Sequence, residues 1–181
     1  MMPAAGRVKR IVSLGLPIMG GMSTHVILGV VDMVFVGFLG TAAIGAVGLA
    51  SFVSFIYLGL FWGGSIAVQA TVSRLKGAGQ EGQTAQYLNA AILLVLLTAP
   101  ASSLVLVLAT PWLLPLMNDD PSVLDQGIPY LQWLLASGTF VGINAAFGGF
   151  WNATDRSHIY MRVTVVTGLL NIPLNYIFIF G

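Results

Sequence analysis

Asp32 offers the most chemistry in this chain. It stands within IVSLGLPIMGGMSTHVILGVVDMVFVGFL, residues 11–39, where no other side chain carries a full charge. As a helix this run is roughly 40 Å long at 1.5 Å per residue, enough to cross about 30 Å of hydrocarbon with room for tilt. A carboxylate at such a depth has to be protonated, hydrogen-bonded or paired with a cation. Asn171 and Asn175 are spaced i,i+4, so on a helix their carboxamides share one face. Amide oxygens add ligands without adding charge, so Asp32, Asn171 and Asn175 together could share a proton or coordinate a cation, with Asp32 the charged ligand. None of the 7 Lys and Arg residues falls at that depth to serve as a permanent counterion. His25 precedes Asp32 by two helical turns on the same face, with Gly29 between them; it reads either as a proton relay or as a neutral histidine with one nitrogen satisfied. Asn144 is a further polar position in an apolar segment. A structural alternative stays open for each: a protonated Asp32 that glues helices, and asparagines that pack helices through their amides.

The elements that must hold these residues follow from hydropathy. The chain is 57% hydrophobic and 7% charged, which excludes an ordinary soluble domain and points to an all-α, polytopic membrane protein. Apolar segments run over about 11–39, 44–72, 87–109, 127–151 and 159–180, joined by GTAAI, SRLKGAGQEGQTAQ, TPWLLPLMNDDPSVLDQ and NATDRSH. Prolines qualify them. Pro17 and Pro173 each remove a backbone donor inside a segment and mark candidate hinges, the second between Asn171 and Asn175. Thr110 and Pro111 are expected to end the third segment, and Asn118 to Asp125 supplies turn and cap residues around Pro121.

Charge placement gives an orientation independent of hydropathy, because Lys and Arg collect in short cytoplasmic loops. Arg7, Lys9 and Arg10 precede the first segment, Arg74 and Lys76 follow the second, and Arg156 and Arg162 lie between the fourth and the start of the fifth. The alternate loops hold no Lys or Arg, and one carries Asp119, Asp120 and Asp125. The amino terminus is therefore placed inside and Gly181 outside, which sets Asp32, about 31 Å along its helix, in the outer part of the membrane. The basic start also resembles a signal peptide, but the apolar run is too long for a signal core and further segments follow it. Five spans and an end at Gly181 suggest part of a larger transporter whose remainder would be its partner; a complete small protein that oligomerises is the alternative.

Other functions find little support. With no cysteine, disulfides and thiol chemistry are excluded. His25 and His158 lie far apart, no zinc-protease, phosphate-loop or dinucleotide motif occurs, and GAGQEG at 77–82 reads as a flexible loop after a membrane helix. The few basic residues flank helices, which gives nucleic-acid binding no basis. No enzyme or resident cofactor is expected. Trp112, Tyr130 and Trp133 fit an interfacial aromatic belt, while Phe52, Phe55, Tyr57, Phe61 and Trp62 could line an apolar cavity.

Several motifs point to one family. LGLPIMGGMSTHVILGVVDMVFVGFLGTAAIGAVGLA, with its Leu-Pro pair, its VD-x-x-x-VG pattern and its LG-x-x-A-x-x-AVGL continuation, resembles the opening of multidrug and toxic compound extrusion (MATE) transporters. QATVSRLKGAGQEG is similar to the family's AQ-x-x-GAG stretch, DDPSVLDQGIPYLQW to its entry to helix four, and NIPLNYIFIFG to the end of its fifth helix. WNATDRSHIY departs from a glycine-rich turn common in the family.

The resemblance implies a twelve-helix secondary transporter of two six-helix lobes, with residues 1–181 as most of the amino-terminal lobe. It implies export of amphipathic, often cationic, compounds across the plasma membrane, driven by Na⁺ or H⁺. Asp32 then matches the coupling aspartate of helix one and Asn171 a fifth-helix asparagine beside it. Asn175 takes a position that is aspartate in some members, and Asn144 matches a fourth-helix polar contact. Flipping of a lipid-linked substrate, a channel-forming oligomer and a purely structural membrane subunit are the competing functions. A lobe without its partner should not enclose a substrate path, so these 181 residues alone are expected to be inactive.

Overall fold

A backbone immersed in hydrocarbon must satisfy its own polar groups, and a chain with long uncharged runs does so by forming helices. The computed structural model describes residues 4–180 and contains helices α1 (Ala4–Gly37), α2 (Thr41–Gly77), α3 (Thr84–Leu113), α4 (Pro121–Ala136), α5 (Gly138–Ala153) and α6 (Ser157–Phe180), with no strand among the described residues. Short 3₁₀ turns, Glu81–Gln83 and Leu114–Leu116, precede and follow α3. Gly181 and the side chains of Arg7, Lys9 and Arg10 lie outside the described residues. Four stretches are long and apolar enough to cross a membrane, Ile11–Gly37, Thr41–Gly77, Glu81–Leu116 and Ser157–Phe180, and the bent pair α4–α5 makes up to five. Exposed Leu16, Val26, Leu60, Leu97 and Phe178 form the outward surface that such an environment demands.

The fourth segment, expected as one helix over 127–151, begins earlier and breaks. α4 starts at Pro121, where Asp120 caps the helix by accepting from the Ser122 backbone N–H (2.9 Å) and hydroxyl (2.7 Å). It gives way to α5 at Ser137 with a bend of 45°. The cause lies across the interface. Tyr57 Oη donates to Ser103 Oγ (2.8 Å) and lies 3.3 Å from the Ala99 carbonyl, while Ser103 Oγ donates to the Leu135 carbonyl (2.8 Å), so a main-chain acceptor beside the break is satisfied from α3. Gly138 makes room for this group: a Cβ there would lie 2.7 Å from the Tyr57 ring and 3.0 Å from Ser103 Oγ.

The third segment differs in the opposite sense. Thr110 and Pro111 do not end it, and α3 continues to Leu113. Pro111 leaves the Val107 carbonyl without its helical donor, and the Gln132 side chain of α4 supplies one at 3.2 Å. Pro17 and Pro173 also lie inside helices that run through them without interruption. The glycine-rich loop after α2 is a helix stop. Gly79 takes φ +73, and the bonds Gln80 N–H to Leu75 O (2.9 Å) and Gly79 N–H to Lys76 O (3.1 Å) close a Schellman cap.

Packing divides the helices into two groups. α5 lies against both α2 and α3, and α4 lies against the same two, around a core of Ala50, Tyr57, Leu114, Leu131 and Leu135. α1 packs chiefly on α6, and this pair joins the rest through lesser contacts of α1 with α2 and of α6 with α5.

Candidate functional site

Small residues set the register of α1 against α6. A Cβ on Gly21 would lie 3.1 Å from the Tyr160 ring, and one on Gly168 would lie 2.8 Å from Leu28, so neither helix could approach as closely with larger side chains. Ser157 Oγ donates to the Leu14 carbonyl (3.4 Å) at one end, and the Phe180 ring meets Phe35 at 6.0 Å and Phe38 at 5.7 Å at the other. Contacts that advance together along both chains describe two parallel helices, and this alignment brings residue 32 level with residue 175.

There the carboxamide of Asn175 donates from Nδ2 to Asp32 Oδ1 (2.5 Å) and to Asn171 Oδ1 (3.1 Å). The three residues named from the sequence thus form one hydrogen-bonded cluster, each of them half-buried. Asp32 keeps its second carboxylate oxygen and Asn175 its carbonyl oxygen, neither taken by a bond within the cluster. Among the described residues Asp32 has no Lys or Arg partner; the ion pair of this region's opposite end, Lys76 with Asp155 at 2.8 Å, belongs to the loops. Among the described residues no three His, Cys, Asp or Glu side chains converge, so a cation here would rest on one carboxylate and neutral amide oxygens. Phe35, one turn beyond Asp32, lies beside the Phe180 ring, which is 49% exposed.

The remaining predicted residues stand apart. His25 is exposed, two turns back along α1, and a Cβ on Gly29 would meet nothing within 4 Å, so that stripe of α1 opens outward. Asn144 is exposed on α5 and makes no hydrogen bond to the cluster. Pro173 sits between the two asparagines in the sequence, inside α6.

Tyr130, read from the sequence as an interfacial aromatic, is exposed near the start of α4. It lies near enough to Asp32 to feel its charge, although it comes from α4. Its depth was available from the sequence: Tyr130 follows Pro129 in the opening turns of a helix that starts on the side where α1 ends.

The turn between α5 and α6, where the sequence departs from a glycine-rich pattern, places Asp155 at φ +61. Aspartate is among the few residues with a side chain that enter this region readily. The bond to Lys76 ties the turn to the end of α2.

Comparison with known proteins decides the family. The MatE family matches residues 17–177. The chain belongs to the MatE family. This MatE chain is 30% identical over 174 residues to the probable multidrug resistance protein NorM of Photorhabdus laumondii, which covers 96% of the chain and 38% of the relative. It is 28% identical over 176 residues to the multidrug resistance protein PmpM of Pseudomonas aeruginosa, covering 96% of the chain and 36% of the relative. Among solved structures, a MOP superfamily transporter from Pyrococcus furiosus superposes with a TM-score of 0.88 at 26% identity, over 95% of this chain and 38% of that one. An outward-facing multidrug resistance MATE family transporter gives the same figures. The chain thus spans little more than a third of the length of the relatives it matches, and the all-helical membrane fold is shared with part of a MATE transporter.

Proposed function

We propose that the MatE chain forms the ion-coupling part of a secondary transporter that exports amphipathic, often cationic, compounds in exchange for Na⁺ or H⁺. One observation carries the reading: a carboxylate inside a membrane-length helix is held by a neutral amide and, among the described residues, by no basic side chain. Asp32 can therefore change its charge state or its ligand without breaking an ion pair.

In the resulting cycle, Na⁺ or a proton reaches Asp32 from the side on which α1 ends. A proton neutralises the carboxylate; Na⁺ is shared between it and the amide oxygens of Asn171 and Asn175. Either event removes the negative charge that a cationic compound would bind, so ion entry and compound release oppose each other at one site. Asn175 in place of a second acid limits this cluster to one proton or one monovalent cation per cycle. Pro173 leaves the Leu169 carbonyl without its helical donor, which weakens α6 beside the two asparagines and offers a hinge for alternating access. Basic residues in alternate loops support an amino terminus on the cytoplasmic side of the plasma membrane, with the ion entering from outside. The 181 residues without the remaining length of their relatives do not enclose a path and are inactive alone.

The test is efflux of a fluorescent cationic amphiphile from vesicles containing the full-length transporter, over a grid of pH and sodium gradients. Asp32→Asn keeps a carbonyl to accept from Asn175 and removes the charge. It should reduce gradient-driven export to the level of empty vesicles, and full export by that variant would rule the assignment out.

A further inference from the structure

A half-open groove of about 450 Å³ lies between α2 and α3, with no residue of α1 or α6 in its lining. These two helices lean on α5 more than on each other, and the gap between them is floored by Gly142 and Ala146 of α5. A side chain at Gly142 would close it, since a Cβ there would lie 2.7 Å from Val95 and 2.9 Å from Phe61. One wall is the stripe Leu60, Gly64, Ala67 and Thr71 of α2; the other is Tyr87, Ala91, Leu94 and Thr98 of α3. Both follow the three-to-four-residue spacing of a single helix face.

Length, polarity and charge identify the occupant. From Leu60 to Thr71 the groove runs roughly 17 Å along α2, close to half of the about 30 Å hydrocarbon thickness, the depth of one leaflet. The hydroxyls at its deep end ask for no polar ligand: Thr98 Oγ1 donates to Leu94 O (2.7 Å) and Ser102 Oγ to Thr98 O (2.8 Å). At the other end, Arg74 continues the α2 stripe one turn beyond Thr71, exposed and with no ion pair among the described residues. Lys76 beside it is engaged with Asp155, and Glu81 is the acid in the following turn.

We propose that this groove binds one acyl chain of an anionic phospholipid, with the phosphate at Arg74. An unpaired arginine beside an apolar slot one leaflet deep matches a lipid's negative head and single tail, and a single basic residue near the surface favours an anionic over a zwitterionic headgroup about fivefold. The site shares no residue with the Asp32 cluster, so its failure would leave the transport reading untouched.

The full-length transporter, purified in mild detergent from vesicles of equal dioleoyl phosphatidylglycerol and dioleoyl phosphatidylcholine, should retain phosphatidylglycerol about fivefold over phosphatidylcholine, read by mass spectrometry of bound lipid. Arg74→Gln should bring that ratio to the bulk value. Ala67→Phe, at an exposed position that points the ring into the slot, should lose both lipids, and Ala91→Phe should do the same from the α3 wall. Helical circular dichroism and thermal melting identify a variant that has failed to fold, in which case the other filled variant decides. Retention of both lipids at the bulk ratio by the unmodified transporter, an unchanged preference in Arg74→Gln, or undiminished lipid in a folded Phe variant would overturn the proposal. So would preferential retention of a cationic amphiphile over phosphatidylglycerol.

Discussion

Two polar clusters sit inside this bundle, and they differ in how completely they are satisfied. Around Tyr57, the hydroxyls of Tyr57 and Ser103 and the carbonyls of Ala99 and Leu135 close on one another, with Tyr57 6% and Ser103 5% exposed. Around Asp32, one amide donates to two oxygens, and a carboxylate oxygen and an amide oxygen remain available in a half-buried setting. A saturated, buried network fixes a bend in the backbone; an unsaturated, accessible one can exchange a proton or a cation. Chemical type does not separate them, since both are built from uncharged donors and acceptors with at most one acid. The number of vacant lone pairs and the route to them does.

If this contrast is right, substitutions in the two clusters should fail in different ways. The largest effect belongs to Asp32→Asn, which should remove gradient-driven export from the full-length transporter while shifting unfolding free energy by less than about 1 kcal/mol, because the hydrogen bond survives. Gly138→Ala should do the reverse, costing about 1–3 kcal/mol by pushing a methyl into Tyr57, visible as a lower melting temperature with the ion dependence of export unchanged. Tyr57→Phe should cost about 1–2 kcal/mol for the lost hydroxyl, again with no change in ion dependence; a variant that altered coupling and spared stability would erase the distinction.

Much of the polar cluster around Asp32 was legible because a simple period governed it. The i,i+4 spacing of Asn171 and Asn175 put both amides on one face, where they share a hydrogen bond. The all-helical membrane architecture was legible for the same reason, since apolar length and loop charge do not depend on partners. What escaped was decided between helices. Ser137 breaks the fourth segment because Tyr57 and Ser103, more than 30 residues away, stabilise the bend, and Pro111 leaves α3 intact because Gln132 supplies the missing donor. Tyr130 keeps its ordinary interfacial explanation as an exposed aromatic near a loop, and only its nearness to the Asp32 charge was hidden.

Gln132→Leu sharpens that point. With the Val107 carbonyl left unpaired, the end of α3 should loosen at a cost of about 1 kcal/mol, read as faster amide exchange at Thr110, Trp112 and Leu113. The smallest expected effect is acidic. Hydrogen bonds from the Ser122 side chain and backbone hold the Asp120 carboxyl below its ordinary value of 3.8. Its folded value lies below the unfolded one, so the cap contributes fully above pH 3.8 and is lost as pH falls through the lowered value. A carbon-detected carboxyl titration should show Asp120 returning toward 3.8 in Ser122→Ala.

The central claim is that the Asp32 carboxylate exchanges an ion with water. It is tested most directly by following the carboxyl carbon of labelled Asp32 in the full-length transporter across a grid of pH and sodium. A signal that moves on protonation, with sodium shifting that transition or moving the signal itself, is the predicted result. A signal indifferent to both across the range in which export operates would contradict the account.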